Sequence, residues 1–155
     1  GEDPFILILD RVTDVRNLGA IARSAECNGV HAIVLPAKGS ALVSADAVKT
    51  SAGALNKIPV CKEHNLKDVI QYLKDYGVKV FGCTEKTEDL LPNTSLTGPV
   101  AVIMGSEENG VSSEYLKMCD GKVKIPMFGT IESLNVAVSA SVVMYEVNRQ
   151  RANDE

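Results

Sequence analysis

At 155 residues, with 45% hydrophobic and 23% charged side chains, the chain has the size and mix of one globular domain with a substantial core. A formal net charge of −4 and an aromatic content of 5% argue against a domain that grips nucleic acid by bulk charge or by an extended stacking platform, so any such contact needs a local patch, a second copy or a further domain. No apolar run reaches the roughly 18 residues of a membrane span, no signal-peptide pattern opens the chain, and Gly1-Glu2-Asp3-Pro4 runs straight into a strand-like segment, as in a domain excised from a longer protein.

Phe5 to Asp10 is a continuous apolar run that predicts a strand buried on both faces. Asn17 is placed to cap a helix whose apolar stripe is Leu18, Ile21, Ala22 and Ala25 and whose end is Gly29. His31 to Leu35 predicts the next strand, stopped by Pro36, and Ser44 to Ser51 a short helix. Ile58 to Cys61 reads as a short strand or edge. Asn65 caps a helix carrying Leu66, Val69, Ile70 and Leu73, ended at Gly77. Strands follow at Val78 to Cys83 and Pro99 to Met104, then a brief helix capped by Ser112 and running to Met118, then a strand at Lys122 to Ile125. The closing helix, Ser133 to Arg149, carries two apolar stripes: Leu134, Val138 and Tyr145 on one, and Val136, Ala140, Val143 and Val147 on the other. One amphipathic helix needs only one stripe, so this helix is expected to be buried by the domain's core and by a second subunit. The alternation predicts an α/β fold with a mainly parallel sheet and one domain spanning 1–155.

The cysteines, Cys27, Cys61, Cys83 and Cys119, form no CxxC pair, and their spacing suits neither a zinc site nor a disulfide framework. Cys27 and Cys83 read as small core residues, no metal is expected, and a reducing cytoplasm is the natural setting. His31 and His64 are expected in surface or core roles.

Three segments can carry chemistry. In Asn17-Leu-Gly-Ala-Ile-Ala-Arg23, Gly19 and Arg23 are four apart on one helix, and glycine admits a close approach of another group. Arg23, with Arg11 and Arg16 in the loop before it, suits a phosphate or carboxylate, or else Arg23 is a surface arginine paired with an acid such as Glu26. Met104-Gly-Ser-Glu-Glu-Asn-Gly110 follows a buried strand, at the carboxyl edge where open α/β sheets bind ligands. Its acids, and the lack of Lys-Ser/Thr after Gly110, are wrong for a triphosphate loop, and GxGxxG is absent. The loop suits a cationic or hydroxyl-bearing ligand, or is an acidic surface turn. In Ile125 to Ala140 a rigid Pro-Gly loop precedes Ser133-Leu134-Asn135, where Ser133 fits a helix cap and Asn135, two residues into the apolar segment, is less easily explained that way.

Asn17-x-Gly19-x3-Arg23, Gly105-x-Glu107-x2-Gly110, and Ile125-Pro126-Met127 with Ser133-Leu134-Asn135-Val136 resemble, in order, the three motifs of the SpoU (TrmH-like) family of RNA ribose 2′-O-methyltransferases in the SPOUT superfamily. Lys49-Thr-Ser-Ala-Gly-Ala-Leu, followed by Ile58-Pro-Val, further resembles the branch that methylates a guanosine of 23S rRNA. The resemblance implies an α/β-knot fold, with helices on both faces of the sheet and a C-terminal trefoil knot. It implies transfer of a methyl group from S-adenosylmethionine to a ribose 2′-hydroxyl in an RNA partner, by a cytoplasmic homodimer without metal. It assigns catalysis to Arg23, Asn17, Glu107 and Asn135 and cofactor binding to Thr84, Gly105, Ile125, Met127, Ser133 and Leu134, while the guanidinium groups of Arg11 and Arg16 are expected to contact RNA. Many members carry an N-terminal RNA-binding domain before the catalytic one, and its absence from this chain fits the abrupt start. A tRNA guanosine as target, and a non-catalytic RNA-binding module of the same fold, are the alternatives.

Overall fold

The computed structural model describes residues 2–154. Six strands form one sheet in the order β3-β2-β1-β5-β4-β6, and every pairing is parallel. The central strand β1, Phe5–Asp10, pairs with β2, Ala32–Pro36, on one side and with β5, Val100–Gly105, on the other. Beyond them lie the edge strand β3, Val60–Glu63, and at the other end β4, Lys79–Cys83, with β6, Gly121–Val123.

The apolar runs of β1 and β5 are explained by helices on both faces of the sheet. Leu7 and Leu9 join the core beneath α1, Val15–Cys27, and α5, Val136–Asn153. Ile8, Ala101 and Ile103 face α3, Leu66–Asp75, and α4, Ser113–Met118. The short α2, Ala45–Thr50, lies against α1. Gly19 permits that contact: a Cβ there would stand 2.7 Å from Thr50 Cβ and 2.8 Å from the Ala47 carbonyl oxygen. The close approach predicted at this glycine is therefore that of a neighbouring helix.

Several local expectations are corrected. Helix α1 begins two residues before Asn17 and is capped by Asp14, whose Oδ1 accepts the backbone N–H groups of Arg16 (2.7 Å) and Asn17 (3.1 Å). Helix α5 is capped by Asn135, whose Oδ1 accepts from Ala137 (2.8 Å) and Val138 (3.4 Å), so Ser133 is not the cap. Ser112 precedes α4 without a side-chain cap bond, because its hydroxyl is engaged by Asp10. Strand β3 starts at Val60, two residues later than expected, because its register is set by pairing Ile33 with Val60. Cys27 is exposed on α1 and Cys83 half-buried, where burial pushes its thiol up to about 11.

The inner stripe of α5 (Val136, Ala140, Val143, Met144, Val147) is buried, whereas Val138 and Tyr145 are 49% and 68% exposed. Among the described residues no helix is long and apolar enough to cross a membrane.

Candidate functional site

The strand order reverses between β1 and β5, and the carboxyl ends of parallel strands on either side of such a point leave a crevice. A cavity of about 710 Å³ opens at that edge of the sheet. Its walls are the turns after β4, β5 and β6 and the first turn of α5. Thr84, Gly105, Ile125, Met127, Ser133 and Leu134, the residues assigned to the cofactor, all line it. Thr84 is fixed by donating its backbone N–H to Val123 (2.9 Å), and Ile125 packs against the core. Glu85, Glu107, Glu108 and Glu132, with Lys86 and Lys124, line the same space. The two lysines and Glu132 carried no motif in the sequence and enter the site through strand order alone.

The loop after β5 closes tightly. Gly110, at φ +64°, donates its N–H to Ser106 (2.8 Å), and a Cβ on Gly105 would lie 2.1 Å from the Gly110 carbonyl carbon. Gly105 is therefore required by backbone packing, and Gly110 is favoured by its left-handed backbone. The tight turn projects Glu107 toward the start of α5. Glu107 Oε1 accepts from Asn135 Nδ2 (2.7 Å) and from the Val136 backbone (3.2 Å), while Asn135 Nδ2 also donates to Asn17 Oδ1 (3.1 Å). Asn17, Glu107 and Asn135, one from each motif, are thus a single hydrogen-bonded cluster. The orientation of the Asn135 amide is decided by its neighbours: the oxygen caps α5 and the nitrogen faces a carboxylate and an amide oxygen. Asn135 is therefore both the cap and part of the polar cluster.

Arg23 lies on α1 beyond Asn17, exposed, and takes part in none of the described ion pairs. The pairing with Glu26 does not form. Arg16, Ala20 and Arg23 fall at helical spacing on one solvent-facing stripe, so the two guanidinium-bearing positions are about 10 Å apart along the axis. Arg11 differs: its Nη2 donates to the Gly110 carbonyl (3.0 Å) and its Nε stands 3.4 Å from Asp10 Oδ1. The sequence reading missed Asp10 and Ser112, although a carboxylate ending an otherwise apolar strand was the available signal.

Residues 4–145 match the SpoU rRNA Methylase family. The chain is 40% identical over 152 residues to the 23S rRNA (guanosine-2′-O-)-methyltransferase RlmB of Photorhabdus laumondii, covering 98% of this chain and 62% of that protein. Against the protein of the same name from Escherichia coli it is 37% identical over 151 residues, covering 97% and 62%. The chain thus spans about three fifths of the length of these curated relatives. Among solved structures, it resembles the SpoU methyltransferase AviRb from Streptomyces viridochromogenes in complex with the cofactor AdoMet, at a TM-score of 0.91 and 29% identity over 99% of this chain and 62% of that one. The A. aeolicus TrmH/SpoU tRNA modifying enzyme gives a TM-score of 0.89 at 27% identity, over 99% and 78%.

Proposed function

The chain belongs to the SpoU rRNA methylase family, and from that premise we propose that it is the catalytic domain of an RNA methyltransferase using S-adenosylmethionine to methylate a ribose 2′-hydroxyl, of a guanosine in 23S rRNA. The observation that carries the reading is the cluster of Asn17, Glu107 and Asn135, which ties all three motifs together at the rim of the cavity.

The cavity suits the cofactor in size, since small-molecule sites run from roughly 300 to 1,000 Å³. Four glutamates against two lysines in its wall suit a sulfonium cation. Gly105, Ile125, Met127 and Leu134 would hold the cofactor, with Thr84 and Ser133 at the polar margin. Bound there, S-adenosylmethionine supplies a methyl group already made electrophilic by its sulfonium.

The protein's tasks are to hold the ribose in line and to let its 2′-hydroxyl lose a proton. A guanidinium remains protonated at neutral pH, which makes Arg23 a poor base. In this mechanism Arg23 orients the ribose and the adjacent phosphate through paired hydrogen bonds, and the proton leaves to that phosphate or to water. Asn17 bonded to Asn135, and Asn135 held by Glu107, keep the helix bearing Arg23 in register with the cavity. Arg16, on the same stripe, extends the contact to the RNA backbone.

The enzyme acts as a homodimer in the cytoplasm, its second subunit covering Val138, Val142 and Tyr145 of α5, and its C-terminal segment forms a trefoil knot. The exposure of this apolar stripe supports the dimer. A tRNA guanosine is the second candidate target, and likeness to the A. aeolicus tRNA modifying enzyme supports tRNA as that substrate.

The test is methylation of total RNA with labelled cofactor by the full-length protein, followed by mapping of the labelled nucleotide. Arg23→Ala is expected to abolish transfer while cofactor affinity and thermal midpoint stay near wild type. Near-normal turnover by that variant removes Arg23 from the mechanism.

A further inference from the structure

Asp10 and Arg11 lie side by side at the end of β1, and each grips the chain about a hundred residues away. Asp10 is 2% exposed. Its Oδ2 accepts both the backbone N–H and the hydroxyl of Ser112, each at 2.8 Å. Arg11 has φ +63°, a backbone conformation that a side-chain-bearing residue adopts only at a cost. That conformation accompanies the reach of its guanidinium to the Gly110 carbonyl at 3.0 Å. The two residues therefore fasten the trailing end of the loop that carries Glu107. From the leading side, Glu107 accepts from Asn135 and Val136 at the mouth of the cavity.

We propose that Arg11 is a positioning residue: with Asp10 it locks the trailing end of the 105–110 loop and so holds Glu107 against Asn135 and Val136. This assigns Arg11 to the cofactor loop, and removes it from the residues expected to contact RNA. A buried carboxylate alone would anchor Ser112 but leave the Gly110 carbonyl without its side-chain donor. The charged donor from Arg11 fixes that peptide, and a charge-assisted bond holds such a group more strongly than a neutral one. The cofactor arm of the proposal rests on the methyltransferase reading. The loop arm does not.

Arg11→Gly separates positioning from general stability, because glycine relieves the left-handed backbone while deleting the donor. In the whole chain, its thermal midpoint is expected to stay close to that of wild type, the relieved backbone offsetting the lost hydrogen bond. Amide exchange at Gly110, Ser112 and Val136 is expected to accelerate about tenfold, with the sheet amides unchanged. S-adenosylmethionine affinity, by calorimetry, is expected to fall about tenfold, and Arg11→Lys, which keeps one charged donor, to recover part of the loss. Unchanged exchange at these three amides overturns the proposal, as does acceleration spread evenly over the sheet. Weakened RNA affinity with undisturbed loop amides also overturns it and returns Arg11 to substrate binding. Failure of the wild type to bind S-adenosylmethionine would sink the cofactor reading, while the exchange measurement would still decide the role of Arg11 in the loop.

Discussion

Asn135 Nδ2 donates to Glu107 Oε1 across 2.7 Å, joining residues 28 positions apart, and the same oxygen accepts the Val136 N–H at 3.2 Å. One carboxylate oxygen thus satisfies a donor at the start of α5 and the side chain that caps the helix. Glu107→Ala leaves the Val136 N–H without its partner and Asn135 Nδ2 with Asn17 alone. The expected cost is about 1–2 kcal/mol of stability in denaturant unfolding. Methyl transfer is expected to fall about 100-fold, because small misplacements of a positioned group carry large penalties. A variant that keeps wild-type turnover would show that the cluster does not position the reacting groups.

Gly19 is the contact point of α1 and α2. Gly19→Ala places a Cβ against the Ala47 carbonyl oxygen, a backbone atom that no rotamer change can move. The helices must separate, and overpacking of this kind costs about 1–3 kcal/mol. Thermal unfolding should report the loss directly. An unchanged midpoint would mean that α2 shifts freely.

Glu146 braces Gln150, the residue that fastens α5 to the segment after the turn Leu91–Asn93. Arg149 donates from Nε and Nη2 (2.7 and 2.9 Å) and Gln150 Nε2 donates at 2.7 Å, while Gln150 Oε1 accepts the Leu96 N–H at 2.7 Å. The Arg149 guanidinium holds the Glu146 carboxyl below its ordinary value of 4.5, outweighing the opposing effect of burial. Since the folded pKa lies below the unfolded one, this group's stabilisation is complete above the ordinary value and is lost as pH falls through the folded one. Denaturant unfolding of wild type and Glu146→Gln, compared from about pH 6 to about pH 3, should therefore converge toward acid. A gap that stays constant over that range would rule out this carboxyl as a source of the acid sensitivity.

The outer stripe of α5 bears on the proposed dimer. Tyr145, 68% exposed, sits one turn from Val142 and two from Val138 on that face. Tyr145→Glu puts a charge in an apolar contact without touching the core, so it should dissociate the dimer while the monomer stays folded. Light scattering together with far-UV circular dichroism measures both. A wild-type chain that is monomeric at micromolar concentration would instead leave the stripe as plain surface.

Local pattern was enough where burial is continuous or strictly periodic. The strand Phe5–Asp10, the buried face of α1 and the Asn65 cap of α3 were all legible, because neighbouring residues supply their own signals of period, cap and break. It failed where two residues could do the same local job. Asp14 and Asn17 are both good caps, as are Ser133 and Asn135, and the choice between them depends on the helix length that packing selects. Cys27 was misread because its apolar neighbours point inward while its own side of α1 faces solvent.

By itself the sequence determined the alternation of strand and helix, the two-stripe character of the last helix and the residue types of three motifs. Only the tertiary structure decided that Asn17, Glu107 and Asn135 meet, because their contacts span 118 and 28 positions and no local period encodes such separations. It also decided that Gly19 admits a helix, and that Arg11 bonds to the loop after β5. The reason is physical: strand order places the ends of β1, β5, β4 and β6 at one edge, and hydrogen-bonding groups brought together there find partners that local sequence cannot name.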